Sequence, residues 1–180
     1  MRKVLFLFGQ LNDDDVEWML RVGQQRFVAA GGVLIEQGVA SDSVFILLEG
    51  ELAVWLQPRR GAKRELARLN AGEIVGEMSF VDSRPPSATV LASEDSTVFA
   101  LTRAVLNARL SADQGFAARF YRALAIYLST TVRERHRDLG GAGTEGDEED
   151  DSDELDANVL DGVYLAGERF DRMVKRVLVT

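Results

Sequence analysis

The chain has 180 residues, 46% of them hydrophobic, enough for one substantial core with short appendages. It has no cysteine and a single histidine, His136, which excludes disulfides, thiolate metal sites, thiol nucleophiles and multi-histidine centres. The net charge of −8 is uneven: residues 1–137 hold 17 basic and 16 acidic side chains, residues 138–180 hold 4 and 13. The acidity therefore belongs to the C-terminal quarter and argues against general nucleic-acid binding, which calls for a basic face.

The first residues carry two charges and then five apolar side chains, Val4 to Phe8. That run is shorter than the roughly 7–15 apolar residues of a signal peptide. No run approaches the roughly 18 apolar residues of a membrane span. The expectation is a cytoplasmic protein that does not contact a membrane. Asn12-Asp13-Asp14-Asp15 reads as a helix cap with acid in the first turn, and Val16, Met19 and Leu20 fall at i, i+3 and i+4. This predicts a short amphipathic helix over 11–24.

From Arg26 the pattern changes to short apolar runs closed by turn residues. Phe27-Val28-Ala29 ends at Gly31-Gly32, Val33-Leu34-Ile35 at Gly38, and Val44-Phe45-Ile46-Leu47-Leu48 at Gly50. Leu52-Ala53-Val54-Trp55-Leu56 ends at Pro58. Short strands at this spacing predict an antiparallel barrel or sandwich, with Glu49-Gly50 as a tight hairpin and 58–63 as an exposed cationic loop. Strands are expected next over 65–69 and 73–75. Gly76-Glu77 opens a short helix that Pro85-Pro86 ends, and Ser87 begins another strand. Unpaired N–H groups at such a helix start suit an anion, and the Glu77 carboxylate can accept hydrogen bonds from hydroxyls. Strands over 88–92 and 97–101, joined by Ser93-Glu94-Asp95, complete the β portion.

Thr102 reads as an N-cap for a helix carrying Val105, Leu106 and Leu110, and Asp113 caps a longer one. Phe116, Phe120, Ala123, Leu124, Tyr127, Leu128, Thr131 and Val132 form an apolar stripe along it, either core or dimer seam. Gly140-Gly141-Ala142-Gly143 breaks that helix. Residues 138–158 read as an acidic flexible linker, poorest in apolar residues over 144–156. In 159–180, Phe170, Met173, Val174, Val177 and Leu178 share one helical face and Arg169, Arg172, Lys175 and Arg176 the other. This segment is too short to fold alone, so it docks on the barrel, on a partner or on another copy. The chain divides on this reading into 1–137, the linker 138–158 and a docking helix over 159–180.

The pattern Gly72-x-x-x-Gly76-Glu77 followed by Ser87-Ala88-Thr89-Val90 resembles the phosphate-binding cassette of cyclic nucleotide-binding domains. Gly32-x-Leu34-Ile35-x-x-Gly38 and Asp42-x-x-Phe45-Ile46-Leu47-x-x-Gly50 resemble the same family's β-roll. The resemblance spans roughly 11–137. It implies an α+β, mostly β fold: an antiparallel, jelly-roll-like β-roll with an N-terminal helix and two C-terminal helices, followed here by an acidic tail. It also implies cyclic AMP or cyclic GMP as ligand. Glu77 would accept the ribose hydroxyl, backbone amides of Gly76, Met78, Ser87 and Ala88 would meet the phosphate, and Thr89 would touch a guanine edge. Tyr127 is the candidate lid over the base. The family's phosphate arginine stands nine residues after the glutamate, and that position is Pro86, which offers neither a cation nor an N–H. Arg84 is either its replacement or a solvated cassette residue.

The resemblance implies a regulatory protein, not an enzyme, with no cofactor and no metal. It offers the helix over 113–137 as the seam of a homodimer. Ligand capture would move the hinge around 106–110 and reposition the long helix. The winged DNA-binding domain found in the family's transcription factors needs some seventy further residues with a basic helix, so no nucleic-acid partner is expected. Two functions follow. One is a stand-alone regulatory module that senses a cyclic nucleotide through 72–90 and signals to an unknown protein partner through its C-terminal helices. The other is a degenerate domain without nucleotide binding that acts as an interaction or assembly scaffold.

Overall fold

A computed structural model of the protein describes residues 4–140 and 157–178. Eight strands form the centre: β1 Gln24–Val28, β2 Val33–Ile35, β3 Ser43–Glu49, β4 Glu51–Leu56, β5 Arg64–Asn70, β6 Ile74–Val75, β7 Thr89–Ala92 and β8 Ser96–Thr102. They make two four-stranded antiparallel sheets, β1-β8-β3-β6 and β2-β7-β4-β5. This is the mostly β roll implied by the family resemblance, and the antiparallel layering expected from the spacing of the apolar runs, with helices packed outside it. Strand β3 is apolar at consecutive positions because both its faces are covered. Phe45 and Leu47 meet Leu52, Val90 and Val98 between the sheets, whereas Val44, Ile46 and Leu48 face a second cluster built mainly of helices.

The turn at Glu49-Gly50 differs from the hairpin expected. Strands β3 and β4 lie in different sheets, so Gly50 makes a corner at which the chain changes layer. Its φ is +91°, and a Cβ there would stand 2.3 Å from Ser96 Oγ and 2.6 Å from Asp95 O. The second corner, from β7 to β8, is stacked directly on the first. The Ser93 N–H donates to Glu51 O at 2.9 Å. Local sequence cannot tell a corner from a hairpin, because both need a glycine with positive φ between two apolar runs.

Six helices complete the described chain. Helix α1, Val4–Gln10, was not anticipated: Val4, Phe6, Leu7 and Phe8 are all buried, and a short helix covered on nearly every side shows no amphipathic period. Helix α2, Asp13–Val22, starts with a capping box, the Asp15 N–H donating to Asn12 Oδ1 and the Asn12 N–H to Asp15 Oδ2. Helix α3 is Glu77–Asp82, α4 is Arg103–Ala112 capped by Thr102, and α5 is Gln114–Gly140. Helix α3 stops before the prolines expected to end it, closed by Ser83 at φ +58°. The residue before a proline is pushed out of the helical region, so Arg84 could not continue the helix in any case.

Helix α6, Ala157–Leu178, begins two residues before the segment read from the sequence. It docks within the chain, but on the helices α1 and α2 rather than on the barrel as expected. Ala166, Phe170 and Met173 are buried, and the Phe170 and Phe8 rings lie 6.2 Å apart. Arg169 donates to the carbonyls of Phe8 and Leu11 at 2.8 and 2.7 Å and to Asp13 at 2.8 Å. One guanidinium thus satisfies carbonyls left open at the end of α1 and meets an acid at the start of α2. Of the linker expected over 138–158, residues 141–156 lie outside the described residues.

Candidate functional site

Strand β6 delivers the chain to Gly76, whose φ of +87° turns it into α3. A Cβ at Gly76 would lie 2.9 Å from Ser43 O, so this turn presses against the start of β3 and only glycine fits it unstrained. No side chain caps α3, and the Phe80 N–H donates to Gly76 O at 3.1 Å. After Ser83 the chain returns through Pro85-Pro86-Ser87-Ala88 without regular structure to β7. The Pro86 carbonyl is held by the Gly38 N–H at 2.8 Å, which fixes this segment to the β2–β3 loop.

A cavity of about 420 Å3 opens over this region. That is within the usual size of small-molecule sites. The cassette contributes Glu73 to Ser79 and Pro86 to Ala88, and β5 contributes residues around Leu66 to Leu69. Tyr127, Leu128, Thr131 and Val132 of α5 close another side. Tyr127 is 4% exposed and donates its phenolic hydrogen to Ile74 O at 2.9 Å. Burial, reinforced by the negative charges of Glu77 and Glu73, holds its pKa far above the ordinary 10, so the phenol keeps its proton. Thr131 Oγ1 donates to Tyr127 O at 3.0 Å.

Of the residues singled out from the sequence, Gly76, Glu77, Met78, Ser87 and Ala88 line this cavity together, and so does Tyr127. Two do not. Thr89 lies in β7 opposite Trp55, and its Oγ1 accepts from the Gln37 N–H at 3.1 Å. Arg84 points to solvent with its side chain 84% exposed, its Nε 3.9 Å from Asp82 Oδ2. Among the residues lining the cavity, Arg68 alone carries a positive charge. Its guanidinium is bound by Glu65 at 2.8 Å and by Glu51 at 2.7 Å.

Four lining or supporting residues were not read from the sequence: Arg68, Glu73, Arg103 and, as a wall residue, Thr131. Arg103 stands at the start of α4, with Nη1 donating to Ser79 O at 2.6 Å and Nη2 to Ser83 Oγ at 3.3 Å. Its guanidinium lies 5.6 Å over the Phe80 ring, and Phe80 meets Phe120 of α5 edge-on at 5.9 Å. The cassette helix is therefore joined to both α4 and α5. The sequence carried one signal for this, because a cation in the first turn of a helix opposes the helix dipole and needs a partner elsewhere. Among the described residues, no group of three or more histidine or acidic side chains is placed to hold a metal. No helix among them is long and apolar enough to cross a membrane.

Comparison with known proteins bears on the same region. The sequence model described as "Cyclic nucleotide-binding domain" matches residues 25–113. A cAMP-dependent protein kinase regulatory subunit of Blastocladiella emersonii is 28% identical over 136 residues, 73% of this chain and 34% of that protein. A cyclic AMP receptor protein of Thermus thermophilus is 32% identical over 97 residues, 54% of this chain and 45% of that one. The chain thus spans less than half the length of either relative. The crystal structure of a cyclic nucleotide-binding domain from Methylobacillus flagellatus superposes with a TM-score of 0.70 at 23% identity, covering 79% of this chain and 84% of that one. At that identity the likeness speaks to the fold.

Proposed function

Because residues 25–113 belong to the cyclic nucleotide-binding domain family, we propose that the chain is a regulatory module that takes a cyclic nucleotide into the cassette cavity and reports its presence through α4 and α5. The observation that carries this reading is a single cavity shared by the cassette and α5. Anything that fills it touches Glu77, Ser87 and Ala88 on one side and Tyr127 and Leu128 on the other. A ligand shifts such a system only by its difference in affinity between two arrangements. The Arg103 contacts to Ser79 and Ser83 supply a physical route by which a displaced cassette would pull on α4.

In this reading Glu77 accepts a ribose hydroxyl, and the amides of Gly76, Met78, Ser87 and Ala88 face the cyclic phosphate. Affinity is expected to be weak. A charge-assisted bond to phosphate is about twice as strong as a neutral one, and losing it at Pro86 costs on the order of 2–3 kcal/mol, roughly 30- to 150-fold. A second reading is favoured by Pro86 together with the outward course of Arg84: the domain serves as a scaffold and binds no cyclic nucleotide.

Calorimetric titration with cyclic AMP and cyclic GMP, on wild type and on Pro86→Arg, separates the two. Weak wild-type binding that tightens roughly 30- to 150-fold in the variant agrees with the sensor. Silence in wild type up to millimolar ligand beside clear binding in the variant leaves the scaffold.

A further inference from the structure

The loop between β4 and β5 presents four cations within six residues, Arg59, Arg60, Lys63 and Arg64, with no acid among them. All four are exposed. The base of this loop is fixed. The Gln57 N–H donates to Gln37 Oε1 at 2.9 Å, and Gln37 Nε2 donates to Gln57 O at 3.0 Å. Pro58 follows with its φ set by the ring, and Lys63 Nζ lies 4.9 Å from the centre of the Trp55 ring. Among the described residues no carboxylate forms an ion pair with any of the four. Arg68, Arg109, Arg119, Arg169 and Arg176, by contrast, are each held by one. Like charges confined to one short, anchored loop repel one another, and a polyanion laid along them removes that repulsion.

The chain carries such a polyanion itself: residues 145–156 hold nine carboxylates and no cation. We propose that this acidic segment docks on the 59–64 loop of its own molecule. Chain length permits it. Leu66 and Val132 border the same cavity, and Arg64 stands two residues before Leu66 on β5, about 7 Å along the strand. Helix α5 runs on from Val132 to Gly140, about 12 Å. The middle of the segment between α5 and α6, some eight residues past Gly140, reaches up to about 26–29 Å from it. That is enough to retrace the end of the helix and arrive at the loop. Exposed ion pairs are individually weak, so the source of the acid decides whether they form. A tethered segment acts at an effective concentration in the millimolar range for a short linker, which favours the same molecule over a second copy.

The absence of cysteine makes the test direct. A nitroxide spin label is attached to the full chain through Ser152→Cys, and broadening of backbone amide signals is read by NMR. The expected result is loss of amide intensity over 57–64 at about 0.1 M salt, recovered at about 1 M, where the screening length falls from about 10 to about 3 Å. Arg59→Glu combined with Arg60→Glu, both at exposed loop positions, should restore the intensity at low salt. A mixture of isotope-labelled chain without the nitroxide and unlabelled chain carrying it should show no broadening over 57–64. Broadening in that mixture overturns the proposal in favour of a second copy. Broadening confined to 133–137, broadening over 57–64 that survives high salt or the double substitution, or none at all, overturns it outright.

Discussion

At Gly76 two constraints coincide, a φ of +87° and a space of 2.9 Å between an added Cβ and Ser43 O. The contact is with backbone of β3, which cannot swing aside as a long side chain would. Gly76→Ala is therefore expected to lose about 1–3 kcal/mol of stability and to weaken ligand binding through the displaced cassette. Chemical denaturation and ligand titration of the same variant measure the two effects. Asp15 is 1% exposed and its carboxylate does two tasks, accepting from the Asn12 N–H in the α2 capping box and receiving Nε and Nη2 of Arg119 at 2.7 and 2.9 Å. Asp15→Ala should cost about 3 kcal/mol in urea unfolding, near the lower end for a broken buried pair, because the stranded guanidinium is partly exposed and rehydrates. That arginine is joined to Asp15 across 104 residues, and no local pattern shows such a link. The same is true of Arg68 and Glu73, which meet the cavity only when the two sheets are folded.

The α6 helix shows where elements were legible and where they were not. Its amphipathic face was plain from Phe170, Met173 and Val177, since a 3.6-residue period needs no knowledge of a partner. Its berth was not plain, because that berth is α1, a run without period. Likewise the capping signals at Asn12, Thr102 and Asp113 marked helix starts correctly, while the layer change at Gly50 depended on long-range pairing. Because Phe170 is 1% exposed and its ring lies tilted against Phe8, Phe170→Ala should destabilise the whole domain by about 3–5 kcal/mol. A helix docked on another copy would instead show a concentration-dependent loss. Asp13 gives a further check of this contact. Its carboxyl is held below the ordinary 3.8 by the hydrogen bond and charge of Arg169. A depressed value in the folded state adds stability above pH 3.8, and that stability disappears as pH falls through the lower folded value. Asp13→Asn should thus flatten the dependence of melting temperature on pH between about pH 5 and about pH 2, and should do so only while Arg169 is present.

In the whole molecule the two apolar clusters share strand β3, one face to each. Neither can be opened without uncovering the other, so unfolding should be a single cooperative transition. The two tryptophans report on it separately: Trp18 packs on the helical cluster, edge-on to Phe116 at 5.2 Å, and Trp55 sits in β4 beneath Lys63. Urea curves from Trp18→Phe and Trp55→Phe variants, each with one remaining fluorophore, should superpose in slope after allowance for the stability change of each substitution. A slope that differs by probe would show that the helices and the roll come apart in turn.

The contact of Arg169 with Phe8 O spans 161 residues and sets an order of events in time. During synthesis, α1 emerges long before the helix that covers it. At about 5–20 residues per second the interval between them is roughly 8–32 s. Through that interval Phe6, Leu7 and Phe8 wait for their last neighbour, so the nascent chain presents a sticky segment early and hides it late. Chaperone capture on the ribosome should accordingly map to α1, and release should follow the arrival of α6.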